Sequence, residues 1–225
     1  TLKFKKVLLQ TNDLEVMKDF YKNNLGCTLE NEHVESFEVT FGYTTIEFNN
    51  RNVKGKPFYH FAFDIPSNQF SEAKEWVLKR VALSIEDGKD DVYFENIKAH
   101  SLYFEDPAGN IVEFISRTED NPTSETPFSI NNIIQMSEMS LVVEDKITVA
   151  EELKKAGIVD RNEDEIDPVG LNFMSDKNGS VFLLLVAPNR RWYFSQKDAV
   201  MFPVTITLEN DVKLGIDENN QFFLI

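Results

Sequence analysis

One pattern constrains this chain more than any other: a strand, then a helix, then several short strands, a unit that occurs twice before Arg117. Phe4 to Gln10 alternates as a strand, and Asn12-Asp13 supplies a helix cap. Leu14, Met17, Phe20 and Tyr21 then recur at helical spacing up to Leu25-Gly26, where glycine suits the end of a helix. Strands are predicted around Cys27 to Glu32, Ser36 to Phe41 and Thr44 to Asn49. After the polar loop Asn50 to Lys56, the second unit opens with a strand over Tyr59 to Ile65. Ser67 or Asn68 caps a helix whose apolar face is Phe70, Ala73, Trp76, Val77 and Val81. Further strands are expected near Leu83 to Ile85, Val92 to Phe94, His100 to Phe104 and Asn110 to Ser116. Asp106-Pro107-Ala108-Gly109 is the turn joining the last two.

Residues 118–127, dense in Thr, Asp, Asn, Ser, Glu and Pro, read as a linker. A weaker third copy starts at Glu138-Met139-Ser140-Leu141-Val142-Val143. Thr148 and Glu151 have capping-box spacing, and Val149, Leu153 and Ala156 form a helix face ending at Gly157. Strands over Leu171 to Met174 and Val181 to Val186 flank Asp176-Lys177-Asn178-Gly179, an echo of the earlier turn. Strands near Val204 to Leu208, Val212 to Ile216 and Phe222 to Ile225 end the chain. The fold class is α+β, with helices laid on a sheet.

Charge narrows the partners. Lys plus Arg total 23 against 38 Asp plus Glu, a formal charge of −15, which repels phosphate backbones and anionic membrane surfaces. Nucleic acid and membrane are therefore not expected as partners. Cys27 is the only cysteine, so no internal disulfide or thiolate zinc cage can form, and a buried neutral thiol is its expected state. The first residues lack the apolar stretch of a signal peptide, and no run approaches the roughly 20 apolar residues of a membrane helix. A cytoplasmic location is the expectation.

Three polar residues sit at the centres of otherwise apolar strands, where an unpaired polar group costs a few kcal/mol to bury. They are Glu47 between Ile46 and Phe48, His60 between Tyr59 and Phe61, and Glu113 between Val112 and Phe114. Strand period puts each on the face opposite its apolar neighbours. If helices cover the apolar face, all three point into a concave side.

The run Asp13-Leu14, Phe20-Tyr21, Leu25-Gly26, then His60, then Tyr103-Phe104-Glu105-Asp106-Pro107-Ala108-Gly109-Asn110-Ile111-Val112-Glu113 resembles the vicinal oxygen chelate superfamily. That superfamily includes glyoxalase I, bleomycin- and fosfomycin-resistance proteins and extradiol ring-cleaving dioxygenases. The resemblance covers Lys3 to Arg117 and implies paired βαβββ modules closing a cup-shaped sheet with helices outside. On this reading residues 1–117 form the ligand cup, 118–127 a linker, and 128–225 a degenerate third module without site residues. There the position matching His60 falls near Glu138 and the one matching Glu113 near Leu183, in a strand whose natural role is packing.

In metal-dependent members, ligands come from the first and last strands of each module. The resemblance therefore implies Glu47, His60 and Glu113 as ligands of a divalent metal (Fe, Mn, Ni or Zn), with Lys6 at the fourth place. Protonated lysine is a poor ligand. Either Lys6 reaches water from a slipped strand, or its ammonium replaces the metal's charge and the metal is absent. Tyr103 stands where dioxygenase members carry a tyrosine, and it could orient a substrate while Glu113 acts in catalysis. Gln10 shares a strand face with Lys6 and joins it as a pocket candidate. The dioxygenase acid–base histidine has no counterpart, Thr45 occupying its place, so ring cleavage is disfavoured. His33 and His100 read as bystanders, and Arg190-Arg191-Trp192 as a surface loop in preference to an anion site. Two functions stay open: a metal-dependent glyoxalase-like lyase or isomerase, or extradiol-type dioxygenase, and a metal-free ligand-sequestering protein of the bleomycin-resistance type. A small molecule is the partner in both, with the chain a monomer or homodimer.

Overall fold

Burial follows the alternation read from the sequence. In the first strand Phe4, Val7 and Leu9 are fully buried while Lys5 is exposed. The structure, a computed structural model, describes residues 1–225. Its strands form two mixed sheets. One has the order β15 (Phe222–Leu224), β14 (Lys213–Ile216), β13 (Val204–Leu208), β1 (Phe4–Gln10), β4 (Thr44–Asn49), β3 (Ser36–Phe41) and β2 (Leu29–Glu30). The other has the order β10 (Val159–Asp160), β11 (Asn172–Ser175), β12 (Phe182–Val186), β9 (Gln135–Val142), β5 (His60–Asp64), β8 (Ile111–Arg117), β7 (Ala99–Glu105) and β6 (Val92–Phe94).

The expected modules are present, but their grouping differs from the sequence reading. The first and second modules lie in different sheets. The second pairs with the third, through antiparallel β5 and β9 with Phe61 opposite Met139. The first pairs with the last three strands, through antiparallel β1 and β13. The cup assigned to residues 1–117 is thus replaced by one spanning β5 to β12, and residues 128–225 supply half of it. The reason is that β1 and β5 have similar alternating patterns, and nothing local specifies which distant strand each accepts at its open edge.

The three helices are α1 (Leu14–Asp19, continued by the π-helical turn Phe20–Asn24), α2 (Phe70–Leu78) and α3 (Lys146–Lys155). Asp13 caps α1 as expected, accepting from the Val16 amide at 3.1 Å. Gln69, not Ser67 or Asn68, precedes α2 and makes no side-chain cap. Asp145 caps α3, accepting from the Thr148 amide and hydroxyl, so Thr148 is a first-turn residue rather than the cap. No strand forms at Leu83 to Ile85.

One apolar core of 45 buried residues joins the two sheets and the helices, drawing on Phe4, Phe48, Phe63, Phe114 and Leu183 alike. Phe41 of one sheet meets Phe63 of the other at 4.4 Å between ring centroids. The sheets therefore share a core between them and turn their concave faces away from it. No helix is long and apolar enough to cross a membrane.

The β3–β4 turn shows how close the sheets come. The Tyr43 amide donates to the Ile134 carbonyl at 3.0 Å, and a Cβ on Gly42 (φ +58°) would stand 2.0 Å from that carbonyl oxygen. Gly26 (φ +77°) needs the same left-handed backbone but faces open space. Gly26→Ala should cost about 1–2 kcal/mol, the conformational term alone. Gly42→Ala should cost roughly 3 kcal/mol or more, because the turn must also withdraw from Ile134. Denaturant unfolding of both variants checks this, and equal costs would show that the turn has room.

Candidate functional site

The concave face of the eight-stranded sheet is built where β5, β8 and β9 lie side by side. Along β5 the pleat sends Phe61 and Phe63 into the shared core, and His60, Ala62 and Asp64 to the cup. Along β8, Val112 and Phe114 join the core while Glu113 faces the cup. Glu138 arrives from β9, opposite Ala62. His60, Glu113 and Glu138 are 5%, 3% and 5% exposed, and their donor atoms all lie within 4.8 Å of one another.

Each side chain of this trio is held from behind. Nδ1 of His60 is 3.0 Å from the Ile111 carbonyl oxygen, which can only accept, so Nδ1 carries the proton and Nε2 is free toward the cup. That Nε2 stands 3.4 Å from Oε1 of Glu113, whose Oε2 accepts from the Ser101 hydroxyl at 2.7 Å. Oε2 of Glu138 accepts from Nη2 of Arg117 at 2.9 Å, and Nε of Arg117 donates to Asp64 at 3.2 Å. Two donors each about 2.1 Å from one ion stand about 3.0–3.4 Å apart at octahedral or tetrahedral angles, which is the observed separation of His60 and Glu113. One imidazole and two carboxylates, each oriented by a further hydrogen bond, are a donor set that suits a divalent ion.

Burial shapes the proton affinities. It pushes the Glu138 carboxyl up to about 7; Glu113 adds to the rise, while Arg117 and His60 oppose it. Burial alone would lower the His60 pKa, but the hydrogen bond and charge of Glu113 outweigh it and leave it raised. Burial, reinforced by Glu113 and Glu138, holds the Tyr103 phenol well above its ordinary value, so it stays neutral and can donate.

The cup encloses a cavity of about 430 Å³ whose apolar wall includes Phe94, Tyr103, Phe173, Trp192 and Tyr193. The segment after β12, read from the sequence as a surface loop, closes over it. Trp192 lies 5.2 Å from the His60 ring, and Phe194 stacks on Tyr103 at 4.5 Å and 7°. Glu86 accepts from Arg191 at 2.8 Å and from the Phe194 amide at 3.0 Å, fixing this strap to the rim.

Of the residues singled out from the sequence, the structure brings together His60, Glu113 and Tyr103. Glu47, Lys6 and Gln10 lie on the other sheet. There Nζ of Lys6 contacts Glu38 at 2.6 Å and Glu47 at 3.1 Å, and Arg51 reaches Glu47 at 3.5 Å. Glu47 is therefore paired by cations and shares no centre with His60. Gln10 hydrogen-bonds the Arg51 carbonyl. His100 faces away, stacked on Phe70 at 3.8 Å. The residue missed was Glu138: β12 pairs Glu138 with Phe182, as β8 pairs His60 with Ile111, so Glu138 holds His60's place and Leu184 holds that of Glu113. A carboxylate amid Met136, Met139 and Leu141 was the available signal.

Residues 3–114 match the family model described as Glyoxalase/Bleomycin resistance protein/Dioxygenase superfamily, and residues 136–190 match one described as Toxoflavin-degrading enzyme. Among solved structures, a putative dioxygenase from Bacillus subtilis subsp. subtilis str. 168 aligns at 18% identity with a TM-score of 0.56, covering 83% of this chain and 64% of its own. Glyoxalase I from Zea mays aligns at 16% identity and a TM-score of 0.52, covering 82% of this chain and 67% of its own. These likenesses show the fold. The chain thus spans just under two thirds of the Bacillus protein's length. No curated protein matches it.

Glu138 rises from an ordinary 4.5 to about 7, so its contribution to stability is complete below pH 4.5 and is lost as pH climbs through 7. The raised His60 has the same sign at higher pH. With metal removed by chelator, the protein should lose on the order of 1 kcal/mol from Glu138 between about pH 6 and pH 8, a fall in Tm of about 2–4 °C. Buried Asp106, raised to about 6, adds a fall of its own, so Glu138→Gln is the comparison that isolates the site. Thermal melts should show a shallower slope in that variant; an unchanged slope would contradict the assignment.

Proposed function

Since the chain belongs to the glyoxalase/bleomycin resistance/dioxygenase superfamily, we propose that it is a metal-dependent enzyme acting on a small molecule with two neighbouring oxygens. The observation that carries this reading is the convergence of His60, Glu113 and Glu138, with Nε2 of His60 and Oε1 of Glu113 separated by 3.4 Å. A divalent ion held by these three would act as a Lewis acid on the bound oxygens.

The chain's own groups divide the remaining work. Ser101 and the Ile111 carbonyl fix Glu113 and His60 in orientation. Arg117 holds one oxygen of Glu138 and leaves the other free to complete the donor set with His60 and Glu113. Tyr103, neutral and buried beside His60, donates a hydrogen bond to a substrate oxygen. The strap excludes water from above. One histidine with two carboxylates departs from the two-histidine, one-carboxylate triad of iron oxygenases, which favours lyase or isomerase chemistry over ring cleavage. The aromatic wall and the match of residues 136–190 to the toxoflavin-degrading family both support a flat substrate.

A second reading, a metal-free binding protein, is favoured by the 2.9 Å contact between Arg117 and Glu138. Arg117 then supplies the neutralising cation, the role that the sequence reading gave to Lys6.

Metal analysis of protein purified without chelator or affinity tag, followed by calorimetric titration with Mn(II), Ni(II) and Zn(II), separates the two. One equivalent is expected. His60→Ala and Glu113→Gln should each weaken binding by roughly a hundredfold or more, since even the residues that merely orient metal ligands are worth about 10–100-fold. Glu47→Gln and Lys6→His should leave binding unchanged. Less than about a tenth of an equivalent, with no uptake on titration, would leave only the metal-free reading.

A further inference from the structure

Six arginines are present in the chain, and five of them use their guanidinium groups in hydrogen bonds. Arg161 does not. Its side chain makes no hydrogen bond and no ion pair, although the chain carries 38 acidic residues and Asp160 is its neighbour. Asp160 is occupied elsewhere, accepting from the Asn162 amide and the Asn172 side chain. Instead the central carbon of the Arg161 guanidinium lies over Phe173, 3.9 Å from the ring centre, and 5.9 Å from that of Phe182. The Arg161 backbone amide is tied to the Phe173 carbonyl at 2.9 Å, so the residue is placed rather than loose. Arg161 lines the cavity that holds His60, Glu113 and Glu138, and Arg190, whose side chain makes one 3.3 Å bond to a backbone carbonyl, lines it as well.

We infer that Arg161 is the anion-binding residue of this cavity, and that its ligand is a flat aromatic molecule carrying a carboxylate. The inference rests on the reading that the cavity takes a small molecule, and it adds the charge that molecule must bear. A guanidinium held over a ring and without a hydrogen-bond partner keeps its N–H donors free, and its edge presents them in pairs with the spacing of a carboxylate. Burial lowers the Arg161 pKa, so its donors are partly stripped of water and gain from an anionic partner. Arg190 stands at the same cavity with its charge unpaired and adds to the attraction. In a chain of charge −15, Arg161 and Arg190, neither of them ion-paired, form a local site for an anion at one side of a cavity whose carboxylates, Glu113 and Glu138, are engaged by Ser101, His60 and Arg117. If Arg161 served only to cover Phe173 with its side chain, its loss would change stability without changing which ligands bind.

Paired probes differing in one charge test this: 3,4-dihydroxybenzoate and its neutral analogue 3,4-dihydroxybenzamide, titrated into the full chain with and without Mn(II). The acid should bind at least about tenfold tighter than the amide, as expected for one charge-assisted bidentate contact. Arg161→Gln should erase that preference while amide affinity changes by less than about twofold, and Arg161→Lys, which keeps the charge without the fork, should retain part of it. A preference seen equally with and without Mn(II) upholds Arg161 even where the metal reading fails. Metal uptake with no acid preference, a preference that survives Arg161→Gln, or no binding of either probe up to about 10 mM would each overturn the inference.

Discussion

Arg117 is a cation buried almost completely, with Asp64 at 3.2 Å on one side and Glu138 at 2.9 Å on the other. Removing three ions from water costs several kcal/mol each, and only close pairing offsets it. The pairing here joins the end of β8 to β5 and β9, strands from two different modules. Loss of one partner would leave a buried charge uncompensated, at a cost of about 3–5 kcal/mol. The arrangement also aims the site. With one oxygen of Glu138 engaged by Arg117, the other is left for the cavity, where Glu113 and His60 stand. Core registry and site geometry are therefore set by the same three side chains.

Most elements were legible because their cause is local. Alternation at Ser36–Phe41 and Thr44–Asn49 exposes a two-residue period that helical spacing cannot mimic, and both strands form at those bounds. The in-strand positions of His60 and Glu113 likewise announced the cup. What local pattern does not carry is which module meets which. The stretch read as a linker is in fact bound down: Asn121 donates to the Ile65 and Ile115 carbonyls, and the Ser67 amide to Pro122. These contacts carry the chain across the end of β5 and deliver β9 to its open edge. Glu138 is hard to recognise from sequence because Leu184 replaces the acidic partner on β12. The loss of one ligand position mimics, in sequence, the loss of both.

The two concave faces show what burial does to the same kinds of residue. On the seven-stranded sheet, Lys6 is 40% exposed at its side chain while paired to Glu38 and Glu47, and Arg51 is 46% exposed. Such pairs are solvated and screened, each worth about 1 kcal/mol or less. On the eight-stranded sheet, His60, Glu113 and Glu138 are sealed beneath aromatic rings, and burial pushes the Glu138 carboxyl up to about 7. Sequence spacing alone treats Glu47 and Glu113 as equivalents. Solvent separates them, and only the enclosed face can hold a carboxylate pair close to an imidazole with strong mutual influence.

That enclosure comes from the segment between β12 and β13, which is also the second of the chain's two connections between the sheets, the first running from β4 to β5. Trp192 and Phe194 lie on His60 and Tyr103, Arg191 and Lys197 pin the segment to Glu86 and Glu105, and Pro203 then accepts from the Tyr59 hydroxyl as the chain leaves for β13. Tyr59 in turn accepts from the Gln10 amide on β1, beside the seat of β13. Closing one cup and completing the other sheet are thus one event along the chain. The strands, whose alternation is constrained by a shared core on one face, have little freedom to vary. The strap and the β10–β11 region that carries Arg161 are bound by no such pattern. Selectivity for a ligand is therefore expected to reside in these connections, with the paired strands holding the reacting groups in fixed positions beneath them.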